Sequence, residues 1–173
     1  MRLLLHACCA DCILKFVDSI KRENTEIKEI VAYFYNPNIH PRSEYLSRLK
    51  AIQKVAEENK MELVVADWSP KEYFEKIKDR KNRCEKCWEL RLGKTFEYAK
   101  DKKFDKVSST LITSHYQNSE NIKEIAKRLE DKYKIKFLVP KKISKDLKTS
   151  GFYKQNYCGC AYSLVEGLEA KFG

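Results

Sequence analysis

The seven cysteines of this chain lie in three short groups whose spacing is typical of metal or redox sites. The groups are Cys8, Cys9 and Cys12; Cys84 and Cys87; and Cys158 and Cys160. The C-x-x-C spacing of residues 9–12 and 84–87 lets two thiolates reach one metal ion or two corners of one cluster. Residues 9–12 also stand where a helix should begin, and a helix N-terminus favours the thiolate.

Three interpretations of these groups are open. Buried cysteines are often small apolar residues, but three close groups in one small domain are hard to explain in that way. A structural zinc takes four ligands, and three of the seven cysteines would then have no role unless a second metal bound them. A cubane iron–sulfur cluster with four thiolates, beside three more for another metal or for redox work, would use them all. The count favours iron–sulfur chemistry.

Two other residues near the first cysteine group could take part. Asp11 could give iron an oxygen ligand, or it could simply be an acidic residue in the first turn of a helix. His6 should end the first strand close to the site, where it could equally be a histidine with a purely structural role.

Composition restricts the class of protein. The chain has 173 residues, of which 43% are hydrophobic and 12% aromatic, so it can form one ordinary domain with its own core. A disordered tail and a disulfide-stapled miniprotein are excluded. No apolar run approaches the roughly 20 residues of a membrane helix, and the start lacks the features of a signal peptide. We therefore expect a cytoplasmic protein with no membrane contact, in which cysteines serve metals or catalysis, although a disulfide in an oxidised form stays open.

The net charge of +10 has two interpretations. It can reflect a lysine-rich solvated surface or a surface that binds a polyanion such as nucleic acid. Basic stretches recur at residues 76–86, 100–106, 132–136 and 141–148, with Tyr153 and Tyr157 near the last. Charge alone does not separate the two.

The elements that must position the cysteines alternate along the chain. Apolar runs predict strands at residues 2–6, 30–35, 61–66, 106–111 and 135–139. Helical spacing predicts a helix after the first cysteine group, one at 43–59 capped by Ser43, two in succession from 69 and over 87–102, one at 119–133, and a last helix through Leu164 and Leu168.

This alternation predicts a three-layer α/β domain over residues 1–173, with parallel strands and right-handed crossovers. A cysteine-bearing helical insertion at about 70–103 and a C-terminal cysteine segment at about 150–173 would complete the metal site. In such sheets ligands bind beyond the carboxyl ends of strands, near the point where strand order reverses. The first cysteine group and residues 108–110 should both lie there.

Four short segments follow one another along the chain, and three of them contain the seven cysteines. They are residues 5–12 (LHACCADC), 34–41 (FYNPNIHP) with Glu44 and Tyr45, 83–92 (RCEKCWELRL) and 157–163 (YCGCAYS). Together they resemble the signature segments of the epoxyqueuosine reductases of the QueH type, over nearly the whole chain. The resemblance implies a fold similar to the adenine nucleotide alpha hydrolase superfamily, with a five-stranded parallel sheet.

The same resemblance implies an activity and its cofactors. The activity is the reduction of epoxyqueuosine to queuosine at the wobble position of tRNA. The implied cofactors are a [4Fe-4S] cluster and an adjacent mononuclear iron, without cobalamin. We therefore expect two partners, the anticodon loop of a tRNA that carries epoxyqueuosine and an external one-electron donor.

Two features of the chain differ from related sequences. ATP-using members of the superfamily carry a glycine- and serine-rich loop after the first strand, whereas residues 6–12 contain no glycine, so no ATP use is expected. Residues 109–117 resemble the family segment Thr-Leu-x-x-Ser-Pro-Tyr-Lys, but His115 and Gln117 replace its proline and lysine. Any role of that lysine in the family is therefore not assigned to Gln117 of this chain.

Removal of an epoxide oxygen needs two electrons, two protons and an acid, and iron can be the Lewis acid. The motif positions suggest Asp11, Tyr35, His40 and Tyr162 as proton donors. Tyr33, Asn36, Asn38 and Arg91 could line the pocket of the splayed wobble nucleotide. The candidate metal ligands are Cys8, Cys9, Asp11, Cys12, Cys84, Cys87, Cys158 and Cys160. One partition puts Cys84 and Cys87 on the cluster and Cys8 or Cys158 on the other metal.

Two other classes of function stay open at this point. A zinc-stabilised tRNA-binding module would keep the basic surface but show no colour, sulfide or turnover. A tRNA sulfur-transfer enzyme on the same fold would use a cysteine persulfide and would be expected to keep the ATP loop, which this chain lacks.

Overall fold

A computed structural model describes residues 1–23, 25–143 and 151–173 of the chain. The strands are β1 (Arg2–His6), β2 (Glu29–Phe34), β3 (Glu62–Val65), β4 (Lys106–Ser109) and β5 (Lys136–Phe137). The helices are α1 (Ala10–Glu23), α2 (Arg42–Glu58), α3 (Pro70–Lys76), α4 (Arg83–Asp101), α5 (Ser119–Tyr133) and α6 (Ala161–Phe172), with a 3-10 helix at Thr110–Thr113.

The five strands form one parallel sheet in the order β3-β2-β1-β4-β5, which confirms the predicted architecture. Both faces of central β1 are covered, as expected for a run of consecutive leucines in a parallel sheet. Leu3 and Leu5 pack in a core that includes Phe16 of α1. Leu4 points to the other face and packs in a core with Phe96 of α4. The domain therefore has the expected three layers.

The carboxyl ends of β1 and β4 meet where the strand order reverses. His6 and Ser109 are register partners there, and His6 Nδ1 lies 2.9 Å from Ser109 Oγ. His6 Nε2 lies 3.0 Å from the carbonyl oxygen of Tyr35. Because a carbonyl oxygen only accepts, Nε2 carries the hydrogen and Nδ1 accepts from the Ser109 hydroxyl. Burial lowers the pKa of His6 well below its usual range, so the ring is neutral. Its two hydrogen bonds connect the end of β1 with Ser109 of β4 and with Tyr35, which follows β2.

Several predicted boundaries were wrong. Helix α2 begins at Arg42 after Pro41, whose fixed φ suits the position before the first turn, and Ser43 does not cap it. Strand β4 ends at Ser109, because the Ser109 hydroxyl accepts from Leu111 N and turns the chain into the 3-10 helix. Strand β5 covers two residues of the five expected.

Helix α4 begins at Arg83, one turn earlier than predicted, so Cys84 and Cys87 both lie in its first two turns. No helix within the described ranges is long and apolar enough to cross a membrane.

Candidate metal centre

Four of the cysteines line a single cavity. Cys84 and Cys87 reach it from the start of α4, and Cys158 and Cys160 reach it from the segment that leads into α6. Cys87 and Cys160 are buried, whereas Cys84 is exposed, so the cavity opens to the surface at the Cys84 thiol. The fold thus brings together into one group thiols that are more than 70 residues apart in the sequence.

A buried ion pair on α2 holds the second pair of cysteines in place. Glu44 and Arg48 lie one helical turn apart, with Glu44 Oε1 2.6 Å from Arg48 Nε, and both side chains are buried. The Arg48 guanidinium donates to the carbonyl oxygens of Tyr157 at 3.1 Å and of Cys158 at 3.3 Å. These contacts fix the backbone beside Cys158.

The same segment is tied to the turn after β2. His40 N donates to the carbonyl oxygen of Gly159 at 2.7 Å, and the Tyr157 hydroxyl donates to the carbonyl oxygen of His40. Gly159 has a φ of +114°, and a Cβ there would lie 3.1 Å from Ile39 Cγ1 and 3.2 Å from Arg48 Nη1. Only glycine adopts this conformation without strain, which explains its place between two cysteines.

The thiols of this group differ in acidity. The sulfur atoms of Cys158 and Cys160 are 3.7 Å apart, and Cys160 Sγ accepts from Ser163 N at the start of α6. Because the hydrogen bond between the two thiols stabilises the Cys158 thiolate, the pKa of Cys158 is lowered and the pKa of Cys160 is raised. Burial raises the pKa of Cys87 to about 11, and the positive charge of Arg91 opposes that rise.

The polar groups around these thiols are incompletely satisfied. Asn38, Arg83 and Arg91 line the cavity with the cysteines, and no Asp or Glu does so within the described residues. Asn38 Oδ1, Arg83 Nε and Arg91 Nε are buried there without a hydrogen-bond partner in the described part of the chain. Unsatisfied buried polar atoms of both kinds, acceptor and donor, are costly unless a bound group meets them.

The donor set decides which group would fit. No three Cys, His, Asp or Glu side chains of the described ranges have an arrangement that could hold a single metal ion. Four thiols around one cavity, with a buried cation and no carboxylate, match instead the ligands of a cubane iron–sulfur cluster. The free space between them is only about 20 Å³, so a cluster would require the thiols to move apart.

The first cysteine group lies beside this cavity but does not line it. Cys9 and Cys12 form a disulfide across the first turn of α1. Cys8 is buried, and its backbone N and Sγ lie 3.2 Å and 3.3 Å from Thr110 Oγ1 at the end of β4. The three cysteines share an apolar cluster with Trp88, whose ring also lines the cavity. Asp11 lies in the first turn of α1 with its carboxylate 2.8 Å from Lys15 Nζ.

The other predicted site residues lie in two places. Asn38 and Arg91 line the cavity, and Asn36 contacts it indirectly by accepting from Arg91. Tyr33 and Tyr35 line a separate groove, which they share with acidic and basic residues of α3 and α4.

The predicted proton donors have different surroundings. The Tyr35 hydroxyl donates to Glu72 Oε2 at 2.6 Å, and burial raises the pKa of Tyr35. The Tyr162 ring lies under Arg80, 4.8 Å from its guanidinium carbon, and packs against the buried cluster that contains Cys87 and Cys160. Both ring nitrogens of His40 are buried without a hydrogen-bond partner among the described residues, and burial lowers the pKa of His40.

Sequence reasoning missed several residues of the site. Tyr73 lines the cavity from α3, and burial together with Cys160 raises its pKa. Gln117 accepts from Trp88 Nε1 at 2.5 Å in the cavity wall. Glu44 and Arg48 had a detectable signal, because opposite charges four residues apart on a predicted helix form a pair, but nothing in the sequence showed that this pair is buried.

The chain is similar to one family of known proteins over nearly its whole length. The family model described as epoxyqueuosine reductase QueH matches residues 3–166. An epoxyqueuosine reductase QueH from Thermotoga maritima is 33% identical, with 96% of this chain and 92% of that protein covered. One from Dehalococcoides mccartyi is 34% identical over 95% of this chain and 93% of its own. One from Histophilus somni is 32% identical over 94% of this chain and 72% of its own.

Proposed function

The chain belongs to the epoxyqueuosine reductase QueH family, and from that premise we propose that it reduces epoxyqueuosine in tRNA to queuosine at a [4Fe-4S] centre held by Cys84, Cys87, Cys158 and Cys160. The observation that carries the proposal is the convergence of these four thiols on one cavity that opens to the surface. A zinc-stabilised module would leave the neighbouring first cysteine group without a role.

The first cysteine group is proposed to hold the second metal after its side chains rearrange, because in the described ranges no three such side chains are already arranged around one metal position. Cys8, Cys9 and Cys12 with Asp11 offer three sulfur ligands and one oxygen ligand at the carboxyl end of β1. Iron binding there requires reduction of the Cys9–Cys12 disulfide. When bound, the cluster would supply electrons singly from an external one-electron donor and the iron would supply Lewis acidity.

Asn38 is proposed to orient the substrate. Its side chain is 1% exposed, it lines the cavity, and its Oδ1 has no partner in the described ranges. A ring hydroxyl of the substrate would satisfy this acceptor. Tyr33 is left out of the pocket, because it lies in the separate groove and stacks on Tyr98 with ring centres 4.8 Å apart.

His40 is the proton donor that the surroundings favour. Its ring packs against Tyr73, with centres 5.4 Å apart, and Tyr73 itself lines the cavity. Neither ring nitrogen has a hydrogen-bond partner among the described residues, whereas the Tyr35 hydroxyl is already committed to Glu72 in the other groove. Tyr162 is the second candidate, because it packs against the buried cluster that contains Cys87 and Cys160.

The RNA partner is proposed from the family and from the charge of the chain. With a net charge of +10 the surface can hold phosphates, and the wobble nucleotide must leave the anticodon stack to reach a thiol-lined cavity.

The proposal is tested with tRNA that carries epoxyqueuosine, a one-electron donor and anaerobically prepared protein. Cys84→Ser should abolish turnover and cluster absorption, because it removes one of four cluster ligands. Glu85→Gln, a neutral change at the next, exposed residue of α4, should leave both intact. Wild-type turnover by Cys84→Ser would refute the assignment of the site.

A further inference from the structure

Arg91 carries a positive charge into the interior beside the cysteines. The residue is 1% exposed and lies on α4 one turn after Cys87. Its Nη2 donates to Asn36 Oδ1 at 2.6 Å, and Asn36 Nδ2 donates to the carbonyl oxygen of Ala7 at 2.8 Å. The guanidinium is therefore anchored to the end of β1 and has little freedom to turn away from the cavity.

No carboxylate of the described residues forms an ion pair with Arg91, although many other arginines of the chain are paired. Arg83, which lines the same cavity, is neutralised by Glu166 at 2.5 Å. A buried charge without a counterion is strongly unfavourable, and Arg91 Nε also lacks a hydrogen-bond partner within the described ranges. Within the described residues, the groups that can supply a negative charge beside Arg91 are those that line the cavity.

The groups in the cavity wall that can become negative are the thiols. Arg91 lines this cavity together with Cys87 of α4 and Cys158 of the C-terminal segment, so its charge lies beside both halves of the cysteine set. Arg91 Nε is buried without a hydrogen-bond partner in the described part of the chain, so it is also a donor available to sulfur.

We propose that Arg91 is the fixed countercharge of the thiolate centre and holds the reduction potential of the bound cluster above the value that four thiolates alone would give. The inference rests on the proposed function. The added electron makes the cluster more negative, and a nearby buried cation stabilises that state more than the oxidised one. Arg91 thus acts through the cluster and is a tuning residue rather than a substrate ligand.

The test compares midpoint potentials of the cluster in anaerobically reconstituted protein, read by absorption during a mediated redox titration. Arg91→Gln removes the charge and should shift the potential to a more negative value, whereas Arg91→Lys should shift it by less than half as much. Lys94→Gln is the control, since it removes an equal charge from the exposed side of the same helix and should leave the potential unchanged. A wild-type potential in Arg91→Gln would overturn the inference.

A second variant decides the matter if Arg91→Gln does not fold or load a cluster. Asn36→Asp keeps Arg91 and places a carboxylate at the 2.6 Å contact, so it should also lower the potential. An unchanged potential in Asn36→Asp would then contradict the inference. Iron and sulfide in the wild-type protein are measured in the same samples, and their absence would refute the proposed cluster itself rather than the role of Arg91.

Discussion

The fold joins the last two of the three cysteine groups into one, and the two resulting groups are positioned in different ways. The first group, Cys8, Cys9 and Cys12, follows directly on the central strand β1, so the sheet itself places it at the switch point. The second group, Cys84, Cys87, Cys158 and Cys160, joins the start of α4 to the segment before α6, and no residue of a described strand lines its cavity. Polar side chains of α2 hold the backbone there, because Arg48 donates hydrogen bonds to two carbonyl oxygens of the segment.

This difference implies different sensitivities. A site held by the backbone of a parallel sheet depends on the core as a whole, whereas a site held by one buried ion pair depends on single side chains. The second group should therefore be lost by substitutions that leave the first group in place.

Arg48→Met should have the largest effect on stability. It leaves the Glu44 carboxylate buried without its partner and frees two carbonyl oxygens, which should lower the free energy of unfolding by about 3–5 kcal/mol. Cluster loading should fall with it. The measurement is urea unfolding of the metal-free protein together with its iron content after reconstitution.

The matched control is Glu58→Gln, which removes the exposed ion pair with Lys54 on the same helix. It should change the free energy of unfolding by less than about 0.5 kcal/mol. Equal effects of the two variants would contradict the role of the buried pair.

Gly159→Ala should have the next largest effect. A φ of +114° is strained for alanine, and the new Cβ would press on Ile39 and Arg48, so we expect a loss of about 1–3 kcal/mol and weaker cluster loading. Gly93→Ala is the control, because its Cβ meets nothing within 4 Å and alanine suits the middle of α4. It should stabilise the protein by about 0.5–1 kcal/mol. A stabilising Gly159→Ala would show that the segment does not need this conformation.

Thr110→Val tests the first group and should have the smallest effect. It removes the hydroxyl that contacts Cys8 N and Sγ, and the loss of a buried hydrogen bond costs about 1 kcal/mol. The cluster at the second group should still load fully, as judged by sulfide content. Thr25→Val, at an exposed position, should be neutral. Loss of sulfide in Thr110→Val would mean that the two groups are not independent.

The fold could be predicted largely because periodicity reports burial. The three consecutive leucines of β1 predict a strand that is buried on both faces. The apolar residues of α5 recur at helical spacing because one side of that helix faces the core, and its predicted limits are those observed. Predictions failed where a local hydrogen bond ended an element, as at Ser109, or where proline preceded a helix, as at Pro41. Such contacts depend on atoms that the pattern of apolar residues does not report.

The site could be predicted only in part, for a related reason. Cysteine spacing identified the pairs, but which pairs share a cavity depends on tertiary contacts between residues 84 and 160. The structure joins Cys158 with Cys84 and Cys87, so the partition that put Cys158 on the second metal is not the one we propose. The motif position of Arg91 suggests a substrate ligand, and nothing in the sequence shows that its charge lacks a carboxylate partner among the described residues.

The most direct test of the central claim is the metal and sulfide content of the wild-type protein, purified anaerobically and measured with its visible absorption. A cluster on the four cavity cysteines with one further iron predicts about five iron and about four acid-labile sulfide per chain, with broad absorption near roughly 400 nm. About one zinc per chain, without sulfide or colour, would contradict it and would indicate a structural zinc module.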